Sequence, residues 1–244
     1  MILKKDLKDI KGLYLVHRGL HSMEKGVPEN SLLAFKQALI HYRDIEIDIQ
    51  LLKDGEVVVF HDSNLKRMTG VDRYLYDCTY DEIKDLKLMG TEERIPLLKD
   101  VLRVVNGKVL LDIEFKYDLP AGFLEEAACK FLDNYNGKFI VTSFNPFSVR
   151  WFKKNRPNYI RGQLVTFKDE KTNFIKKLAF KKMVFNFLAK PDFVGYDINE
   201  ITEQRANSIR KKGIPLFLWT VETREQFETA KRLGDSYIYE KIMI

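Results

Sequence analysis

Short runs of β-branched and aliphatic residues alternate along the chain with longer segments whose apolar positions recur at helical spacing. "LYLV" (13–16) leads into a helix over 31–40, where Ser31 is placed to cap and Leu32, Phe35, Ala38 and Leu39 form one apolar stripe. "IEIDIQL" (45–51) and "VVVF" (57–60) flank Asp54-Gly55, a dipeptide that favours a tight hairpin turn. Helical patterns over 81–88 and 97–105 precede "KVLLDIEF" (108–115), and a helix over 121–134 leads to "KFIVTSF" (138–144). Strands over 160–165, 193–197, 215–219 and 236–239 then alternate with helices over 146–154, 172–187, 202–212 and 223–233. With the extra strand of the hairpin set aside, this makes about eight strand–helix units in roughly 250 residues, the pattern of a TIM barrel, an α/β fold. An open doubly wound sheet is the alternative fold, and no GxGxxG or GxxxxGK[ST] phosphate loop supports it.

The strand period of two separates chemistry from packing. In "IEIDIQ" it puts Glu46 and Asp48 on one face and Ile45, Ile47 and Ile49 on the other; in "LLDIEFK" it puts Asp112, Glu114 and Lys116 on one face. In a barrel the isoleucines pack against the outer helices and the carboxylates point inward. Several carboxylates aimed into one small volume repel each other and resist desolvation, so their pKa values rise or a cation joins them. Oxygen donors without a histidine or cysteine cluster suit Mg²⁺ or Ca²⁺ better than zinc. The competing arrangement pairs these acids with Lys and Arg on a solvent-facing sheet. His17 and Arg18 follow "LYLV" as His61 follows "EVVVF", and the C-terminal ends of barrel strands are where chemistry is done. Two imidazoles facing each other across a metal and a phosphate can serve as general base and general acid. His21 and His41, in a loop and at a helix end, read as structural.

Composition narrows the setting. The chain has 244 residues, 45% hydrophobic and 31% charged, with no linker, low-complexity tract or short-period repeat, so one domain over 1–244 is expected. The start, "MILKKDLKDIKG", lacks the continuous apolar core of a signal peptide, and no stretch approaches the ~18 apolar residues of a membrane span. Cys78 and Cys129 stand far apart without metal-ligand spacing, as a reduced protein tolerates, and a cytoplasmic location is expected. A net charge of +6 reads as a solubilising surface rather than a nucleic-acid footprint. "KKLAFKKMVFNFLAK" (176–190) is a basic amphipathic stretch, suited either to weak contact with an anionic membrane surface or to a solvated outer helix with lysines over its apolar face. Stable membrane insertion is not expected. Oligomeric state has no signature in the sequence.

Several short motifs, taken in order, carry a resemblance. "HRG" (17–19), "PENS" (28–31), "EIDIQLLKDGEVVVFHD" (46–62), "LKRMTG" (65–70), "IPLL" (95–98), "DIEFK" (112–116), "TSF" (142–144) and "LWTV" (218–221) resemble the glycerophosphodiester phosphodiesterase family over nearly the whole chain. The resemblance implies a TIM barrel with a small insertion after the second barrel strand, about residues 52–96. It also implies metal-dependent hydrolysis of a small-molecule glycerophosphodiester to sn-glycerol 3-phosphate and an alcohol. Glu46, Asp48 and Glu114 match the metal-binding carboxylates, His17 and His61 the paired acid and base, and Arg18 and Lys116 the basic residues that hold the phosphate. Glu29 matches an acidic site residue, either a direct ligand or a support behind the ligands, and Asn30 beside it shares that pocket. Phe144 and Trp219, at strand ends, are candidates for an apolar wall against the glycerol or the leaving group.

Glu222 stands where the family has Asn after "LWTV", and "YIYEKIMI" (237–244) replaces an acidic "TDxP" ending. Both changes fall at the barrel rim, apart from the metal and acid–base positions. Two other readings share these residues: a lysophospholipase D-type phosphodiesterase, and a noncatalytic binding barrel. Against the second stands the cost of keeping His17, His61, Glu46, Asp48 and Glu114 inside a barrel without use.

Overall fold

The computed structural model describes residues 10–116, 119–166 and 189–242. They fall into two compact units, one spanning Val16–Phe139, the other holding the described residues from Ile140 onward together with those before Val16. The first unit follows β1 (Tyr14–Val16) with α1 (Leu32–Ile40), β2 (Asp44–Leu51), β3 (Val57–Val59), α2 (Lys66–Thr69), α3 (Tyr80–Ile83), α4 (Leu98–Val105), β4 (Leu111–Phe115) and α5 (Phe123–Leu132). β2 pairs in parallel with β4 and antiparallel with β3, with Ile45 opposite Leu111 and Ile49 opposite Val59. Ile45, Ile47 and Ile49 are fully buried, and each contributes about 1.5–3 kcal/mol by leaving water. A one-residue slip of β2 would exchange them with Glu46 and Asp48, so this burial fixes which way the acids face.

The local signals act where they were expected. Ser31 caps α1, its hydroxyl accepting the Ala34 N–H at 3.1 Å and donating to the Pro28 carbonyl at 2.7 Å. The buried face of α1 is Ala34, Phe35 and Ala38, with Leu32 and Leu39 only partly covered. The reason is the loop after β1, which packs onto the small Ala34: a Cβ on Gly19 (φ +83) would stand 2.9 Å from both Ala34 Cβ and Phe35 Cδ1. Asp54-Gly55 turns the chain between β2 and β3, Leu52 donating to the Glu56 carbonyl at 2.9 Å and Gly55, in the left-handed region, to that of Leu52 at 3.0 Å.

The insertion over 52–96 carries a small core of its own, in which Leu52, Val58, Phe60, Leu65, Met68 and Leu75 pack with Cys78, Ile83, Leu88 and Ile95. The helix expected over 81–88 stops at Ile83. Lys87 forms an antiparallel bridge with Arg94, and Leu88 donates to the Glu93 carbonyl at 2.9 Å, so a turn rather than a helix delivers Leu88 to this core.

The second unit continues with β5 (Phe139–Ser143), α6 (Pro146–Asn155), β6 (Arg161–Val165), β7 (Phe193–Asp197), α7 (Glu203–Arg210), β8 (Leu216–Val221), α8 (Arg224–Leu233) and β9 (Ser236–Tyr239). Each strand from β5 to β9 pairs in parallel with the next, without the order reversal of a doubly wound sheet. Phe193 and Phe217, both buried, meet with ring centroids 4.4 Å apart. Asn145, Thr202 and Thr223 cap the helices that follow them. Strand and helix alternate along the described residues except between β6 and β7, where 167–188 are not described, and with β3 set aside the fold is a TIM (β/α)8 barrel with an insertion after its second strand. Among the described residues, no helix is long and apolar enough to cross a membrane. The helix expected over 172–187, and most of the basic stretch 176–190, lie outside the described residues. Cys78 and Cys129 are buried, and no disulfide joins them.

Candidate active site

Parallel pairing of β2 with β4 sets Glu46 opposite Asp112 and Asp48 opposite Glu114, so like charges stand side by side on one face. Glu46 is 3% exposed and Asp48 1%. One oxygen each from Glu46, Asp48 and Glu114 lies within 4.8 Å of the others. Burial, with the Asp48, Glu114 and Asp112 carboxylates, pushes Glu46 well above the ordinary carboxylate range, against the pull of Arg18. Burial presses Asp48 the same way, but Lys116, Arg18, His61 and His17 outweigh it and hold Asp48 far below that range. Two acids one strand repeat apart thus lie in opposite states: Asp48 has its cations, and Glu46 is the acid that a further cation would relieve most. Carboxylate oxygens on one Mg²⁺ or Ca²⁺ stand about 3–5 Å apart, so three all-oxygen donors at this spacing fit a hard divalent cation.

The loop after β1 supplies the first counter-charge. Arg18 (φ +55) and Asn30 (φ +53) both sit in the left-handed region, at about 1–2 kcal/mol for each non-glycine residue. Their bonds hold them there. The Arg18 N–H donates to Glu46 Oε2 at 3.0 Å, its Nη1 donates to Glu29 Oε1 at 2.8 Å, and its Nε lies 3.2 Å from Asp48 Oδ2. Asn30 donates from its backbone to the Arg18 carbonyl at 2.9 Å and from Nδ2 to Asp48 Oδ2 at 2.9 Å. Burial alone would lower the Arg18 guanidinium, yet Asp48, Glu29 and Glu46 hold it above its ordinary value. Lys116 Nζ lies 2.8 Å from Glu114 Oε1 and 3.4 Å from Asp48 Oδ1. Burial opposes its charge as well, and Glu114 and Asp48 again prevail.

The two histidines approach this cluster differently. His17 Nε2 lies 4.0 Å from Glu46 Oε2. His61, just past β3, has Nδ1 2.7 Å from Asp62 Oδ1. Burial notwithstanding, His61 and Arg67 keep Asp62 far below the ordinary carboxylate range. An ionised carboxylate only accepts, so the hydrogen belongs to His61 Nδ1 and Nε2 is left for proton exchange. Asp62 and Arg67 were not singled out from the sequence, although "FHD" places Asp62 next to His61. Glu29 Oε1 accepts from Arg18 and Arg67 and Oε2 from Arg67, and Glu29 is not among the carboxylates that converge.

His17, Arg18, Glu29, Asn30, Glu46, Asp48, His61, Glu114 and Lys116 all belong to the first unit. Phe144 and Trp219 belong to the second, where their rings meet edge to face at 5.4 Å. Glu222 and the C-terminal segment meet in the same unit: Lys241 Nζ lies 2.7 Å from Glu222 Oε1.

The model of a family described as "Glycerophosphoryl diester phosphodiesterase family" matches residues 17–239. A glycerophosphodiester phosphodiesterase of Caldanaerobacter subterraneus is 33% identical over 242 residues, covering 92% of each chain. The solved structure of an Oleispira antarctica phosphodiesterase in complex with the product sn-glycerol-3-phosphate aligns over 95% of this chain and 94% of that one, with a TM-score of 0.78 at 22% identity, a likeness of fold. A glycerophosphodiester phosphodiesterase from Thermotoga maritima aligns over 93% of each chain, with a TM-score of 0.72 at 27% identity.

Proposed function

The chain belongs to the glycerophosphoryl diester phosphodiesterase family and is a phosphoric diester hydrolase; from that premise we propose that it cleaves small glycerophosphodiesters to sn-glycerol 3-phosphate and an alcohol, in the cytoplasm and with a divalent cation, Mg²⁺ or Ca²⁺. The observation that carries this reading is the convergence of Glu46, Asp48 and Glu114 oxygens within 4.8 Å, with His17, Arg18 and Lys116 against them. The sn-glycerol-3-phosphate bound in the Oleispira structure supports the choice of product.

Glu46, Asp48 and Glu114 would hold the cation, which when bound supplies positive charge where negative charge grows on the phosphate oxygens. Arg18 and Lys116 bind the diester's phosphate, because each already stands among carboxylates whose charge keeps it protonated. One imidazole takes the proton from the attacking hydroxyl, either water or the neighbouring 2-hydroxyl of the glycerol. As the new P–O bond forms, the bond to the leaving oxygen breaks, and the other imidazole gives that oxygen a proton. If the 2-hydroxyl attacks, the product is a cyclic phosphate that water then opens with the roles reversed. His61 acts through Nε2, since Asp62 engages its Nδ1.

The test is release of sn-glycerol 3-phosphate from glycerophosphocholine and glycerophosphoethanolamine after chelation, with Mg²⁺ or Ca²⁺ restored, beside His61→Ala. Turnover should return with the cation and be absent in the variant. Turnover indifferent to chelation would contradict the metal assignment. Turnover confined to lysophosphatidylcholine would move the reading to a lysophospholipase D.

A further inference from the structure

Arg67 joins the insertion to two separate parts of the site. It sits in α2, and its neighbour Met68 is anchored in the insertion's own core. Its Nε donates to Asp62 Oδ2 at 2.6 Å and its Nη2 to Asp62 Oδ1 at 2.9 Å; on its other edge Nη1 donates to Glu29 Oε2 at 2.9 Å and Nη2 to Glu29 Oε1 at 2.7 Å. Those four bonds take most of the five N–H groups that a guanidinium has, so Arg67 is committed to carboxylates and not to a phosphate. Each carboxylate passes the constraint on. Asp62 Oδ1 lies 2.7 Å from His61 Nδ1, and Glu29 Oε1 accepts from Arg18 Nη1 at 2.8 Å. Asp62 and Glu29 both lie below their ordinary values and Arg67 above its own, as a fully ionised trio requires.

We propose that Arg67 is a positioning residue of the reaction: by clamping Asp62 and Glu29 together, it sets the ring of His61 and the guanidinium of Arg18 at once. The insertion thereby governs proton transfer through one carboxylate and phosphate capture through the other. The kinetic part of this proposal rests on the hydrolysis argued above. A lysine cannot replace Arg67, because an ammonium is a point charge without the planar fork that grips two carboxylates side by side.

The experiment uses the full chain, with glycerophosphocholine as substrate and Mg²⁺ in excess. Arg67→Ala and Arg67→Lys should each lose about tenfold to a hundredfold in activity, the scale on which supports behind a metal site act. Added guanidinium ion should return part of the loss in Arg67→Ala and none in Arg67→Lys. Asp62→Asn should lower kcat with little change in KM, whereas Glu29→Gln should raise KM with little change in kcat. A lower melting temperature in Arg67→Ala, with kcat and KM unchanged and no guanidinium rescue, would overturn the proposal. An independent readout is the imidazole ¹⁵N spectrum, in which His61 is assigned by comparison with His61→Asn. Wild type should show protonated Nδ1, and Arg67→Ala a mixture of tautomers. If wild type hydrolyses no glycerophosphodiester, the assigned reaction fails by itself. The spectrum still decides the positioning, because an unaltered His61 signal in Arg67→Ala would contradict it.

Discussion

Arg18 and Arg161 are both guanidiniums drawn out of water, and their surroundings are opposite in kind. Arg18, in the first unit, stands among Asp48, Glu29 and Glu46, whose charges overcome its burial and hold it above its ordinary value. Arg161, at the head of β6 in the second unit, has Asp192 at 3.4 Å and otherwise donates to the carbonyls of Tyr159 at 3.3 Å, Pro157 at 3.5 Å and Lys190 at 3.2 Å. Burial pulls it below its ordinary value, with Asp192 opposing. The second arrangement fastens a strand to the loops on either side of it. The first crowds acids beyond what structure alone rewards, and that surplus of like charge, rather than the buried charge itself, marks a site.

The contrast is tested most sharply by separating activity from stability. Glu46→Gln should lower kcat by about a thousandfold, as loss of a transition-state charge partner does. The chelated Glu46→Gln protein should melt no lower than wild type, because Glu46 is the acid held above its ordinary value. The sign follows from proton binding: the folded state holds this proton more tightly, so chelated wild type loses stability as the pH rises above the ordinary carboxylate range, and Glu46→Gln removes that loss. Thermal melts across pH, read beside steady-state kinetics, check both halves. Arg161→Met should do the reverse, costing about 3 kcal/mol in urea unfolding by taking the donor from the carbonyls of Tyr159, Pro157 and Lys190, with kcat unchanged. The smallest effect belongs to Asp62 and Glu29, which lie below their ordinary values in the folded protein. Their stabilisation is present above about pH 4 and is lost as the pH falls through the folded values. Arg67→Ala should therefore flatten the acid side of the melting-temperature profile measured by calorimetry.

Of this contrast, the half in the first unit was largely legible in the sequence, and the setting of Arg161 was not. The alternation of isoleucine with acid in "IEIDIQ" determines both the packing of β2 and the convergence of Glu46 and Asp48, because one period governs both faces. Strands over 193–197 and 236–239 have the expected bounds, and Ser31 and Asp54-Gly55 act through bonds only a few residues long. What escaped depends on contacts distant in sequence. Arg67 sits in a surface-like "LKRMTG", and its partner Glu29 is 38 residues away. The pattern over 81–88 has helical period, but the bridge between Lys87 and Arg94 prevails after Ile83. Glu222 and the C-terminal segment look independent in the sequence until Lys241 is seen to pair with Glu222.

The central claim, that Glu46, Asp48 and Glu114 form a cation site held together against its own repulsion, is tested most directly by the melting temperature in chelator, in Mg²⁺ and in Ca²⁺, for wild type beside Glu46→Gln. A cation at a hundred times its Kd stabilises the folded state by about 2.7 kcal/mol. Wild type should rise accordingly in at least one of the two cations, and Glu46→Gln should stay at its chelated value. A wild-type melting temperature indifferent to both cations, or an equal rise in Glu46→Gln, would contradict it.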